Sequence, residues 1–501
     1  MSFLFSFPFF SCKLLGKSEP KTEAKDLRIY QIMVSTFRDG DPSIGYRTAW
    51  GPEEETGGDL QGVIDSLDYI ANMGFNAVWL TPIFDSSGAN ADENAGFEER
   101  LNSTGYYARD FFSIDPHFGS ESTFRELVDA CHERGIFVIL DGVFGHWGDS
   151  VAPSPSGKVP ERKFGKFNGA AFPESLDFFK EVASFWIREY KIDGWRLDQC
   201  YQLGKKGEGV ADSHNFWYDI RLAVEEAAAQ NRAEGSEWGT LGYMVGECWR
   251  NTAAEIQSEA VDSGTAEGYG LESCFDFPSR NYIIRIMTKN GINAGGFLDY
   301  VFESADKKGY FHPDGFKPNL FVSNHDLPRL GTAISEAFPQ QSPEGADKNI
   351  YYRKHEVAMA ILAAFSGPIT VYYGDEWGAF LEPDKIGKFP CYNDNSSRTA
   401  GKTFGFSKDE QNVADCTAAL MNARKMHPAL FCGTTETIFE SDNAFIARKT
   451  SGNEEITVII NCSNEDFSYS LEKGGRDIIN GNRVRKSGTL PAWSFLFIKT
   501  R

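Results

Sequence analysis

The 501-residue sequence has no surplus of positive charge. Its 50 Lys and Arg stand against 71 Asp and Glu, a net charge of −21 at pH 7. A field of that sign repels phosphate backbones and anionic lipid surfaces, so nucleic acid is not an expected partner. Paired cysteines are also lacking. The nine cysteines lie singly at 12, 131, 200, 248, 274, 391, 416, 432 and 462, without a CxxC pair or a regular spacing. Neither a zinc site nor a disulfide framework is indicated. Several, such as Cys131 and Cys248, sit in apolar runs where a free thiol packs as a small core residue, a usage that suits a reducing compartment. No run approaches the ~18 apolar residues of a membrane span, so no transmembrane segment is expected. The apolar start Met1 to Phe10, followed by Ser11 and Cys12, loosely resembles a lipoprotein cleavage site, but it lacks a basic n-region and is short for a secretory signal. Residues 1–26 are therefore read as a leader or linker on a cytoplasmic protein. Export or lipid anchoring through this segment is the alternative, and oligomeric state has no signature in the sequence.

What is present is a strict rhythm. Strand-like runs near 29, 75, 136, 193, 243, 274, 320 and 369 alternate with helix-like ones, among them Ser122 to Arg134, Leu176 to Tyr190 and Phe216 to Ala229. Ile136 to Leu140 is apolar on both faces, as a buried parallel strand should be. Eight strand–helix units joined by right-handed crossovers predict an α/β fold of the (β/α)8 TIM-barrel type. An open doubly wound sheet would want a glycine-rich phosphate loop after its first strand, and Ile29 to Asp41 has no GxGxxG. The barrel is expected over residues 27–430, with a short insert at 147–175 after strand 3. From about residue 431 to 501 short strands and turns take over, which predicts an antiparallel β domain.

Barrel enzymes carry their chemistry at the C-terminal ends of the strands. Just past strand 3 stand Asp141 and His146, on strand 4 Arg196 and Asp198, past strand 5 Glu247, and past strand 7 His325 and Asp326. Each alone has a bland reading as a loop cap, an ion-pair partner or a core histidine. Four strand ends converging on one rim argue for a site instead. A carboxylate rim in an aromatic-rich protein suits glycosidic bond cleavage, where one carboxyl protonates the leaving oxygen and another attacks or stabilises the anomeric carbon. Metal-assisted hydrolysis would normally use paired histidines or a carboxylate bridge, and the two histidines here lie on different strands.

The segments Asp141-Gly-Val-Phe-Gly-His146, Gly194-Trp-Arg-Leu-Asp198, Gly246-Glu247 and Phe321-Val-Ser-Asn-His-Asp326 resemble, in order and spacing, the four signature regions of the α-amylase family, glycoside hydrolase family 13. Gly57-Gly-Asp-Leu60, Trp79-Leu-Thr-Pro82, Gly105-Tyr-Tyr-Ala-Arg-Asp110 and Tyr373-Gly-Asp-Glu376 extend the similarity from about Arg28 to Glu376. The resemblance implies a retaining double displacement on α-glucosidic bonds of glucans, malto-oligosaccharides or small α-glucosides. Asp198 is then the nucleophile, kept ionised by Arg196. Glu247 is the general acid and base, its proton affinity raised by apolar neighbours, and Asp326 binds sugar hydroxyls. Tyr106 stacks beneath the sugar, His146 and His325 donate to its hydroxyls, Asp141 orients Arg196, and Arg398 is a sugar-binding arginine beside Asn395. Transfer to a sugar or to phosphate uses the same machinery, and a non-catalytic binding subunit is the rival of another class.

Three departures bear on specificity. The family usually has Asn, often a calcium ligand, where Gly145 stands; glycine offers no side-chain oxygen, so no cofactor is expected, with calcium as the one candidate. Asp39 and Asp41 could otherwise hold such an ion, or simply make a solvated turn. Gln199 to Gln202 replaces the Lys-His pair of many starch-degrading members. The short 147–175 insert leaves the loop Phe84 to Thr104 to shape the mouth.

Overall fold

The computed structural model describes residues 24–46, 57–87, 102–163, 169–203, 215–261, 269–304, 317–381 and 397–500. Ten strands precede the C-terminal region: β1 (Arg28–Ile32), β2 (Ala77–Leu80), β3 (Phe84–Asp85), β4 (Asp110–Ile114), β5 (Phe137–Gly142), β6 (Gly194–Leu197), β7 (Tyr243–Gly246), β8 (Ser273–Cys274), β9 (Leu320–Phe321) and β10 (Ile369–Tyr372). All but β3 and β4 form one parallel sheet in the order β8-β7-β6-β5-β2-β1-β10-β9. A parallel bridge between Phe275 and Asn319 joins the sheet's two ends. Across it the Asn319 N–H donates to the Cys274 carbonyl and the Asp276 N–H to the Asn319 carbonyl, both at 2.9 Å. The sheet is thereby the (β/α)8 barrel expected from the alternating pattern.

The period-two alternation of each strand sorts its residues between two cores. Ile29, Ala77, Trp79, Ile139, Val245 and Phe321 fill the barrel interior. Tyr30, Val78, Leu80, Val138, Leu140, Trp195 and Met244 point outward into the layer shared with the helices. The same alternation carries Gln31, Asp141, Arg196 and Asp198 to the inside near the C-terminal rim. Local capping fixes where the helices begin. Asp59 accepts from the Gly62 N–H at 2.7 Å at the start of Leu60–Ile64, and Ser120 accepts from the Thr123 N–H at the start of Glu121–Glu133.

The sequence pattern reads Ile29 to Phe37 and Phe275 to Phe277 as strands, and both expectations need correction. The run Ile29 to Phe37 is a strand only to Ile32, and Val34–Phe37 is a helical turn. All four turn residues are buried, so hydrophobic periodicity could not separate the two forms. Likewise β8 ends at Cys274, because the Asp276 side chain caps the Ser279 N–H and Pro278 opens the helix Phe277–Thr288. The antiparallel pair β3–β4 was not anticipated. Most of the 1–26 leader, much of the Phe84 to Thr104 loop, and Asn395 lie outside the described residues.

The C-terminal strands are β11 (Thr434–Glu440), β12 (Ala444–Ser451), β13 (Glu454–Asn461), β14 (Phe467–Ser470), β15 (Gly475–Asp477), β16 (Arg483–Val484), β17 (Ser487–Leu490) and β18 (Ser494–Lys499). They form an antiparallel sheet in the order β11-β12-β13-β18-β15-β16 and a separate β14–β17 ladder. Two buried lysines lock this sheet to the barrel. Lys449 donates to the Ala364 carbonyl and Ser366 Oγ at 2.6 Å. Lys354 donates to the Met287 carbonyl and lies over the Phe338 and Trp493 rings, 4.3 and 4.7 Å from their centroids. No helix among the described residues is long and apolar enough to cross a membrane.

Candidate active site

Strand register builds the centre of the site. Asp141 pairs with Arg196 across β5 and β6, and Arg196 with Val245 across β6 and β7, so the inward guanidinium lies between neighbouring strand ends. Arg196 Nη1 reaches Asp141 Oδ1 at 2.7 Å and Asp198 Oδ1 at 3.1 Å, and Nη2 lies 2.7 Å from Glu247 Oε1. The last contact is a close ion pair whose N–H does not point along a hydrogen bond. Glu247 Oε2 accepts instead from the Gln199 backbone N–H at 3.2 Å. That donor is aimed by a left-handed Gln199, with φ of 39°. The second Asp198 oxygen, Oδ2, makes no hydrogen bond, and His146 Nδ1 stands 3.8 Å away.

A second group of contacts fixes the opposite side. Tyr106 donates its hydroxyl to Asp141 Oδ2 at 2.7 Å, and its ring stacks on His325 with centroids 5.3 Å apart. Gln31 Nε2 contacts His325 Nδ1 at 2.7 Å, which leaves the Nε2 proton to face Tyr106 Oη at 2.7 Å and Asp326 Oδ2 at 3.0 Å. Arg398 bonds the His325 carbonyl through Nε and Asp326 Oδ1 through Nη2 at 3.2 Å. Asp326, with a quarter of its side chain exposed, is the most open of the carboxylates here.

The charges settle unequally. Burial raises the Asp326 carboxyl, but His325, Arg398 and Arg196 outweigh it and hold the group well below the usual carboxylate range. Burial pushes Asp198 well above that range; Arg196 opposes the shift, and the carboxylates of Glu247, Asp141 and Asp326 add to it. Arg196 indeed touches Asp198, yet it also serves Asp141 and Glu247. One guanidinium is thus shared among three carboxylates. Burial holds the His146 imidazole down at about 4, and the Gln202 side chain and the Tyr106 backbone oppose that shift.

All nine residues singled out in the sequence, Asp198, Glu247, Asp326, Tyr106, Asp141, His146, Arg196, His325 and Arg398, thus gather at one rim. Sequence reasoning missed Gln31 and also Trp79, whose indole N–H donates to Asp141 Oδ2 at 3.1 Å beneath the Arg196 guanidinium. Both lie on inward positions of β1 and β2, so extending the alternation two residues past Ile29 and Ala77 would have found them. Trp249, 39% exposed beside Glu247 and backed by Phe277 at 5.1 Å, was noted only as an apolar neighbour.

Gly145 offers a calcium ion no side-chain oxygen, and the space a side chain there would fill is taken by Gln202. Asp41 Oδ1 is engaged by the Ser43 N–H and hydroxyl, and Asp59 by backbone N–H groups of Gly40, Asp41 and Gly62. Among the described residues no three His, Cys, Asp or Glu side chains are placed to hold a metal.

A family model described as the alpha amylase catalytic domain matches residues 31–159 and 173–430. The chain belongs to the α-amylase family. It is a glycosidase of that family, acting on α-glucosidic bonds with the retaining mechanism general to it. Among its relatives, a cyclomaltodextrinase of Geobacillus thermopakistaniensis is 28% identical over 91% of this chain and 72% of its own length. An intracellular maltogenic amylase of Bacillus subtilis is 26% identical over 71% of this chain and 56% of its own. The crystal structure of AmyP in complex with maltose is 35% identical, covers 95% of this chain and 96% of its own, and superposes with a TM-score of 0.83.

Proposed function

We propose that the enzyme hydrolyses short malto-oligosaccharides, with Asp198 as nucleophile and Glu247 as acid and base. The observation that carries this reading is the Arg196 fork, which holds one oxygen of each carboxyl and leaves Asp198 Oδ2 without a partner. That oxygen attacks the anomeric carbon while Glu247 gives its proton to the departing glucosidic oxygen. Water then enters, Glu247 takes back a proton, and the ester opens with net retention. Catalysis uses the state in which Asp198 is ionised and Glu247 carries the proton.

Asp326, held ionised by Arg398 and His325, offers its open edge to sugar hydroxyls and to the positive charge of the transition state. His146, His325 and Tyr106 complete that ring's contacts. Trp249 supplies an aromatic face on the leaving-group side of Glu247. The names cyclomaltodextrinase and maltogenic amylase among the relatives, and maltose bound to AmyP, support a short α-linked substrate. The intracellular Bacillus relative supports a cytoplasmic site of action. Incubation with maltotriose, isomaltose, trehalose and sucrose, with and without phosphate, tests the reading. Maltose and glucose from maltotriose are expected; a glucosyl phosphate or longer oligosaccharides would establish transfer, and no turnover of any α-glucoside a binding subunit.

A further inference from the structure

The turn after Asp198 contains a side chain that joins three strand ends. Gln202 Nε2 donates to Gln199 Oε1 at 2.7 Å, and the same oxygen accepts from the Tyr201 hydroxyl at 3.0 Å. The Gln199 backbone N–H is the one that donates to Glu247 Oε2. At its other end, Gln202 Oε1 is enclosed in the space beside Gly145, has no well-aligned donor, and raises the proton affinity of the neighbouring His146 imidazole. It reaches that position only because residue 145 is glycine. An ideal Cβ on Gly145 would overlap Gln202 Oε1 and lie 2.8 Å from its Cδ. Gly145 is itself held from the far side, where its carbonyl accepts from the Ala170 N–H at 2.7 Å, so the backbone there has little room to retreat.

We propose that Gln202 is a positioning residue for the glycosidase reaction: by filling the space left at Gly145 it fixes His146 and, through Gln199, the carboxyl of Glu247. The proposal rests on the assignment of Asp198 and Glu247 as the reacting pair. One amide thus bears directly on the turns after β5 and β6 and, through Gln199, on the end of β7. Truncating it frees the His146 ring and loosens the Gln199 turn, and small displacements of acid and nucleophile are costly in the chemical step.

The test is a double-mutant cycle on maltotriose hydrolysis with melting temperatures measured alongside. Gln202→Met keeps the volume and removes the amide. It is expected to lower kcat tenfold or more, with KM within about threefold and the melting temperature within about 3 °C. Gly145→Ala is expected to cost a similar factor in the wild-type background and less than about threefold in Gln202→Ala, where the overlap is gone. Wild-type kcat in Gln202→Met, or an equal cost of Gly145→Ala in both backgrounds, would overturn the proposal. Glu247→Gln, measured beside them, separates the two levels. If it keeps full kcat on maltotriose, the catalytic assignment fails and the proposal with it; if it is inactive while the Gln202 variants behave as wild type, only the positioning role falls.

Discussion

Arg196 Nη2 lies 2.7 Å from Glu247 Oε1 while Nη1 of the same guanidinium bonds Asp198 Oδ1, so a planar cation sets how the two carboxyls stand to one another. A lysine cannot span both, because its ammonium is a single point of charge. Arg196→Lys is expected to lower kcat on maltotriose by a factor on the order of 10² while the protein stays folded, as steady-state kinetics and circular dichroism would register. Activity within twofold of wild type would remove the fork from the mechanism.

Replacing either carboxyl should separate their roles. Asp198→Asn is expected to lose activity on every substrate by a factor on the order of 10⁴ or more, since no ester can form. Glu247→Gln should lose comparable activity on maltotriose yet still release phenol from an activated aryl α-glucoside, where the leaving group needs no proton. Burst kinetics on the aryl substrate would reveal the accumulating ester. Equal loss of both substrates in Glu247→Gln would reassign the acid.

Trp249 tests the leaving-group side. Trp249→Ala is expected to raise KM for maltotriose about tenfold and to leave the aryl glucoside nearly unchanged, because only the oligosaccharide has sugar to lay on the indole. Uniform effects on both substrates would assign the residue to packing against Phe277.

The pH dependence of stability has a specific source away from the site. Glu272 is buried and accepts the Met244 N–H at 3.0 Å, and burial pushes its carboxyl up to about 8. Its folded value exceeds the ordinary one of 4.5, so its protonated form favours folding. That contribution is complete below about pH 4.5 and is lost as pH rises to about 8. Glu272→Gln keeps the acceptor without the charge. Its melting temperature is expected to exceed that of the wild type at pH 8.5 and to match it at pH 5.

Much of this was legible in the sequence where one residue type does one job. The strand rhythm located all eight barrel strands, and the polar residues after them converge as expected. The boundaries failed where an apolar residue suits either form, as at Val34 and Phe277. The sharing of Arg196 also escaped. Two residues of spacing to Arg196 imply a partner, but only the folded rim shows that Asp141 and Glu247 compete for it. Gln202 escaped for a related reason: its importance lies in the space beside Gly145, and empty space has no letter.

The bridge between Phe275 and Asn319 has a consequence for how the enzyme breathes. β8 and β9 are two residues long, and the barrel closes there through one bridge, where β5 and β6 share four paired positions. Glu247 stands on one side of this seam, after β7, and Asp326 on the other, after β9. The hoop therefore has a clasp, set between the two carboxylates proposed to act on the sugar. The amide protons of Asp276 and Asn319 are the barrel protons expected to exchange first with deuterium, and a bound oligosaccharide, gripping both flanks, to slow them most.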